Sequence, residues 1–311
     1  MLLAHPRRLW GRWWILPGGL PLAYTLTVAA LGDLRIDHVA VAAAACLLAY
    51  LSLGSKRIYL LLLPYLVVAI AYDAIRYPRA WLVTPERVLG CGLRSLELAL
   101  FPAGAGITWP EWFMTHHTPA LDLVCAVPYL AFIYVVLGYA VFLHFADRPR
   151  AGRFLWAYAI GNFMAFACWL VIPAAPPWYL HGHGCAIHLA TAPSPAALAR
   201  VDDLLGIRYF HGFYSRSASV FGAVPSMHCS YPVMGLLVAW RKATWATRPL
   251  HIVYVVWMAF SAVYLGHHWV MDVLTGWAVA AASVAIAQQL VTRFELVRSP
   301  ARAPAWQGSA S

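Results

Sequence analysis

Charge is what this chain has least of. Only 11% of its 311 residues are Asp, Glu, Lys or Arg, against about 25% in soluble domains. With 62% of residues hydrophobic, so few charges cannot cover a water-facing surface, and a soluble enzyme is excluded. Disorder is excluded as well, by 13 Phe, 15 Trp and 16 Tyr and a mean hydropathy of +0.67. Lysine is nearly missing: Lys56 and Lys242 stand against 20 arginines, which with the abundant alanine points to a GC-rich, bacterial genome. No basic run interleaved with aromatics lies on a soluble segment. The net charge of +10 therefore reads as topology and attraction to anionic headgroups, with no nucleic-acid partner. The cysteines (Cys46, Cys91, Cys125, Cys168, Cys185 and Cys229) form no C-x-x-C pair and no zinc spacing, so they read as small core residues. A Cys91–Cys185 bridge is open to them but unsupported by the spacing. There is no tandem repeat, and the one biased block is the small-residue, Pro-containing tail after Arg298.

What is present is a series of long apolar runs. A membrane-spanning helix needs about 20 mostly apolar residues, and runs near that length occupy 16–32, 38–54, 58–75, 121–145, 154–173, 226–241, 250–266 and 269–291. These predict an all-α polytopic membrane protein of about eight transmembrane helices. Arg7, Arg8 and Arg12 precede the first run, which reads as a signal anchor with a cytoplasmic N-terminus. Sorted on this topology, 14 of the 22 basic residues fall in the short inner segments and 8 in the long outer ones, the bias expected of cytoplasmic loops. Two long connections, 76–120 and 174–225, then lie outside. Both are aromatic and too polar to span, and 86–101 fits a short amphipathic helix on the membrane surface.

Two short stretches carry chemistry. In Pro225-Ser226-Met227-His228 a Pro at a first helical position precedes a hydroxyl residue, which leaves backbone N–H groups and a helix dipole beside a titratable ring. That suits an anion. The bland reading is an ordinary Pro-Ser cap. In Tyr264-Leu265-Gly266-His267-His268-Trp269-Val270-Met271-Asp272, His268 and Asp272 are four apart on one helical face, so the carboxylate can hold one imidazole nitrogen and leave the other as a nucleophile. Here the bland reading is a structural bond at a helix end. It weakens because Asp272 is the only acid in the last three spans, and an ionisable residue in a membrane is functional by default. On the predicted topology both stretches reach the outer face at one depth, which makes a site for phosphoryl or phosphodiester transfer.

On these residues the chain resembles the type 2 phosphatidic acid phosphatase superfamily of membrane phosphotransferases. Pro225–His228 resembles its P-S-x-H motif, and Ser261–Asp272 its S-R-x5-H-x3-D motif. Ala175-Pro176-Pro177-Trp178-Tyr179, Phe213-Tyr214-Ser215-Arg216-Ser217 and Tyr264–His268 are similar to the inositol phosphorylceramide synthase branch. The matching region is about 168–292. The resemblance implies a six-helix catalytic core over 58–292, preceded by two extra helices in 1–57 and followed by a disordered cytoplasmic tail over 293–311. It implies His268 as a nucleophile that becomes a phosphohistidine, Asp272 as its orienter and His228 as general acid, with no metal and no cofactor. It also implies a phospholipid donor and a lipid alcohol acceptor, with phosphoinositol moving from phosphatidylinositol to a ceramide-like alcohol. The alternatives are a lipid phosphate phosphatase and a non-catalytic lipid-binding or transport protein. The expected place is the bacterial cytoplasmic membrane with the site facing outward.

Two departures stand out. The Arg after Ser261 is Ala262, so a phosphate clamp has to come from elsewhere, and Arg216 is the candidate. The K-x6-R-P motif is missing; Lys242-x5-Arg248-Pro249 reads as inner-loop charge. Ser226, His267 and Tyr214 are further candidates for holding phosphate or substrate. Asp73 and Arg76 read either as a helix ion pair or, with Arg79 and Arg87, as a holder of an anionic headgroup. His181, His183, Cys185 and His188 have ligand-like density but a Gly-flanked spacing that suits a wet aromatic loop better than a metal.

Overall fold

A computed structural model of the chain describes residues 4–298. It is almost wholly helical, and each of the eight apolar runs forms a helix. By length and composition four helices can cross a membrane among the described residues: Leu53–Ala74, Pro119–Ala146, Arg148–Val171 and Val270–Thr292. The protein is an integral membrane protein with an all-α fold.

The chain divides into two compact units. The first comprises 4–82 with 217–219: α1 (Ala4–Trp10), α2 (Leu16–Ala30), α3 (Ile36–Tyr50), α4 (Leu53–Ala74) and α5 (Arg76–Leu82). Its polar centre is Asp73, near the end of α4. Asp73 Oδ2 accepts from the Tyr24 hydroxyl at 2.5 Å and contacts His38 Nε2 at 3.0 Å. Oδ1 accepts from Arg35 at 2.8 Å and also from Arg76. One carboxylate thus ties α2, α3, α4 and α5 together, and this is why α4, expected in the catalytic core, groups with the two N-terminal helices. Residues 217–219 join this unit through the contact between the Tyr72 and Ser217 hydroxyls, at 3.1 Å.

The second unit, 83–216 with 220–298, holds the two motifs. It contains α6 (Cys91–Leu100), a short antiparallel hairpin of β1 (Pro102–Gly104) and β2 (Ile107–Thr108), α7 (Trp109–Thr115) and the long helices α8 (Pro119–Ala146) and α9 (Arg148–Val171). The second long connection folds into α10 (Pro177–His183), α11 (Leu198–Leu205) and α12 (Tyr209–Tyr214); α13 (Met227–Ala239), α14 (Arg248–Tyr264) and α15 (Val270–Arg298) follow. Side-chain oxygens start three of the helices: Thr118 accepts from Leu121 N–H, Asp147 from Arg150 N–H and Ser226 from Cys229 N–H. α15 packs on α9 and α13, α13 on α14, and α14 on α8. α13 and α15 cross at contact distance: a Cβ at Gly276 would lie 2.4 Å from the Ser226 carbonyl oxygen. The Ser230 hydroxyl, 2.8 Å from the carbonyls of both Ser226 and Gly276, fills the same crossing.

The long connections are folded. Leu89, Ala174 and Gly222 join as isolated bridges, and Trp269 lies fully buried in a core with Ala175, Tyr179, Phe221 and Ala223. Cys91 and Cys185, 94 positions apart, form a disulfide with 5.4 Å between Cα atoms. The helix expected over 86–101 is Cys91–Leu100, and it does not lie free on a surface, because Leu93 and Glu97 are buried in the unit. The tail expected from 293 begins inside α15, which continues to Arg298; beyond that it lies outside the described residues.

Candidate active site

α14 ends at Tyr264 and α15 begins at Val270, so His267 and His268 occupy the connection between them, not a helical face. Gly266 makes the turn with φ of +68°, a conformation that costs a residue with a Cβ about 1–2 kcal/mol. The second long connection then grips the turn. Trp178 N–H donates to Gly266 O at 3.1 Å, Ala197 N–H to Leu265 O at 3.2 Å, and Trp269 Nε1–H to Ala175 O at 2.9 Å. Both histidines are 6% exposed.

His268 Nδ1 lies 3.1 Å from Ala223 O and 3.3 Å from Asp272 Oδ2. Both are acceptors, so the network assigns the proton to Nδ1 and leaves the lone pair on Nε2. Nε2 faces His228 Nδ1 at 3.4 Å. Burial pushes the His268 pKa down to about 4, partly opposed by the Ala223 carbonyl, so the ring is neutral at pH 7. Asp272 is fixed in turn: Oδ2 accepts Trp269 N–H at 2.8 Å, and its backbone carbonyl accepts Ser226 N–H at 3.0 Å. That last bond joins the two motifs directly. Oδ1 of Asp272 is buried with no hydrogen-bond partner among the described residues.

The other sequence candidates are placed as follows. Ser226, fully buried, is the N-cap of α13, and Pro225 stands before the cap, not at the first helical position, because the Ser226 hydroxyl takes the Cys229 N–H and starts the helix two residues later than expected. His267 Nε2 contacts Pro195 O at 3.0 Å, and its ring stacks on Tyr214 with centroids 4.8 Å apart. Arg216 is exposed just past α12, and no hydrogen bond or ion pair involves its side chain among the described residues. Arg76 belongs to the first unit, where Asp73 holds its guanidinium. Cys185 is consumed by the disulfide, and among the described residues no group of three His, Cys, Asp or Glu side chains is placed to hold a metal ion.

Three residues at the site escaped the sequence reading. Glu97, fully buried in α6, accepts the N–H groups of Val270 at 2.7 Å and Met271 at 3.2 Å, capping α15 from 173 residues away. Burial raises its pKa against the pull of those two donors, and Asp272 adds to the rise. Tyr129 of α8 stacks on His228. Asp202, buried in α11, accepts Phe210 N–H, His211 N–H and the His211 ring, and so holds α12 with Tyr214 at its end. A fully buried carboxylate that caps a distant helix leaves no local signal; for Glu97 the only one was an acid amid apolar neighbours.

A profile described as the PAP2 superfamily matches residues 96–286, a span that leaves out 4–82 and takes in both histidines of the pair with Asp272. Phosphoinositol dihydroceramide synthase of Bacteroides thetaiotaomicron is 34% identical over 262 residues, 83% of this chain and 85% of that protein. Inositol phosphorylceramide synthase of Candida albicans is 30% identical over 167 residues, 51% of this chain and 34% of its own. The inositol phosphorylceramide synthase catalytic subunit of Saccharomyces cerevisiae is 39% identical over 107 residues, 34% of this chain and 26% of its own. No solved structure matches. The chain belongs to the PAP2 superfamily, as a membrane phosphotransferase of the inositol phosphorylceramide synthase type.

Proposed function

We propose that the protein moves phosphoinositol from phosphatidylinositol to a ceramide-like lipid alcohol through a phosphohistidine on His268. The observation that carries this reading is the pairing of a neutral, oriented His268 Nε2 with His228 Nδ1 at 3.4 Å. The substrate phosphorus enters between the two rings. Nε2 attacks it, the bond to the diacylglycerol oxygen breaks, and His228, which enters this step as the imidazolium beside the anionic phosphodiester, gives that oxygen a proton and is left neutral. The acceptor hydroxyl then attacks phosphorus, returns a proton to His228 and releases Nε2. Asp272 and Ala223 O stabilise the charge that His268 carries in between. Ser226, His267, Tyr214 and Arg216 remain candidates for the headgroup and phosphate at this site.

The site works on the extracytoplasmic side of a bacterial cytoplasmic membrane in this reading. Disulfides persist in oxidising compartments, and Cys91–Cys185 lies in the two connections that the basic-residue bias puts outside. The names of the relatives support the donor and acceptor. Purified protein given phosphatidylinositol should release diacylglycerol and, once ceramide is added, form phosphoinositol-ceramide with little free inositol phosphate. Release of inorganic phosphate from phosphatidic acid, with no acceptor dependence, would make it a hydrolase instead.

A further inference from the structure

Tyr129 projects from α8 into the histidine pair. Its ring stacks on His228, with centroids 4.6 Å apart and planes at 22°, and on His267, at 5.0 Å and 27°. Tyr214 stacks on His267 in turn, so four rings follow one another as His228, Tyr129, His267 and Tyr214. Tyr129 is 3% exposed, and its hydroxyl is buried without a hydrogen-bond partner among the described residues. Tyr129 shares a buried cluster with Cys229, the neighbour of His228, and with Tyr264 and Leu265 at the start of the histidine turn.

A phenylalanine would stack on the imidazoles as well, and it would spare the folded state the cost of burying an unbonded hydroxyl. Packing alone therefore disfavours the oxygen at this position. What the oxygen adds is a donor beside a pair of histidines to which, among the described residues, no guanidinium or ammonium is hydrogen-bonded: Ala262 stands, fully buried, in the same core cluster, and the exposed Arg216 makes no side-chain hydrogen bond or ion pair. A phosphodiester held between His228 and His268 presents two non-bridging oxygens that need donors. We propose that Tyr129 is a substrate-contacting residue whose phenol O–H donates to a non-bridging phosphate oxygen, while its ring sets the plane of His228. This rests on the phosphotransfer reading of the histidine pair.

The full-length protein and Tyr129→Phe are compared in lipid nanodiscs by three measurements: thermal unfolding, phosphoinositol transfer to ceramide, and calorimetric titration with orthovanadate, which mimics a phosphoryl group in transfer. The expected result is a melting temperature equal to or above the wild type, with kcat/KM and vanadate affinity each lower by roughly 10–100-fold, the scale of a hydrogen bond to a charged group. Wild-type transfer and vanadate binding in Tyr129→Phe would overturn the proposal, because the ring alone would then suffice. Activity lost together with the melting temperature would overturn it too, as a packing defect. If the wild type binds vanadate but makes no phosphoinositol-ceramide, the substrate reading fails; the Tyr129 contact then stands or falls on the vanadate ratio.

Discussion

His268 is held by what its two nitrogens face. Nδ1 has two acceptors, Ala223 O and Asp272 Oδ2, and Nε2 faces another imidazole, that of His228. An exposed histidine would be half protonated near pH 6.5 and lose its lone pair below that value. Burial moves this point down to about 4, so the lone pair is present above it and lost only as the pH falls through it. The acid limb of kcat/KM, which reports the free enzyme, should therefore lie below pH 5 and not near 6.5. His268→Ala should abolish transfer and any acid-labile phosphoenzyme seen with labelled donor. His228→Ala should slow turnover by about 10²–10⁴-fold, most for the poorest leaving alcohol. A limb near 6.5 that persists in His228→Ala would mean that His268 is not the buried, neutral nucleophile described here.

At the scale of elements, the site depends on how α15 begins. Its first N–H groups would be orphans in a low-dielectric surrounding, where leaving such a donor unpaired costs about 1–3 kcal/mol. Asp272 takes one of these, Trp269 N–H, and Glu97 takes those of Val270 and Met271. Glu97→Ala should therefore destabilise the protein by roughly 2–4 kcal/mol and loosen the Trp269 turn, while Glu97→Gln, which keeps one acceptor, should cost less. Unfolding in denaturing detergent, followed by tryptophan fluorescence, checks the order. The helices themselves were legible from apolar runs, since a span has to be apolar whatever it packs against. Legible too was the partnership of His268 with Asp272, although the helical face assumed for it is a turn. What the sequence concealed were bonds made across long separations. Ala223 O, Pro195 O and Ser226 N–H act through backbone atoms that any residue carries, and Glu97 and Tyr129 reach the site from α6 and α8, whose register against α15 is set by tertiary packing.

At the scale of the whole chain, the parts of the two long connections that belong to the second unit, 83–120 and 174–216, are joined by bridges and a disulfide, and their position across the membrane decides which leaflet supplies substrate. The disulfide closes 94 residues of chain and joins α6 to the stretch after α10. It therefore couples the Glu97 end of α15 to the connection that supplies Ala223 O and Pro195 O. Thiol labelling tests this topology. In a background with Cys46, Cys125, Cys168 and Cys229 replaced, Ala190→Cys should react with a membrane-impermeant maleimide in intact cells, because Ala190 is exposed in the second connection. Ala246→Cys, exposed between α13 and α14, should react only after lysis. Cys91 and Cys185 should resist the reagent until a reductant is added. Transfer activity should fall on the same reduction, because the joined connections then lose a constraint of about 2–4 kcal/mol. The opposite labelling pattern would put these connections in the reducing cytosol, where a disulfide would not persist, and the donor would then be drawn from the inner leaflet.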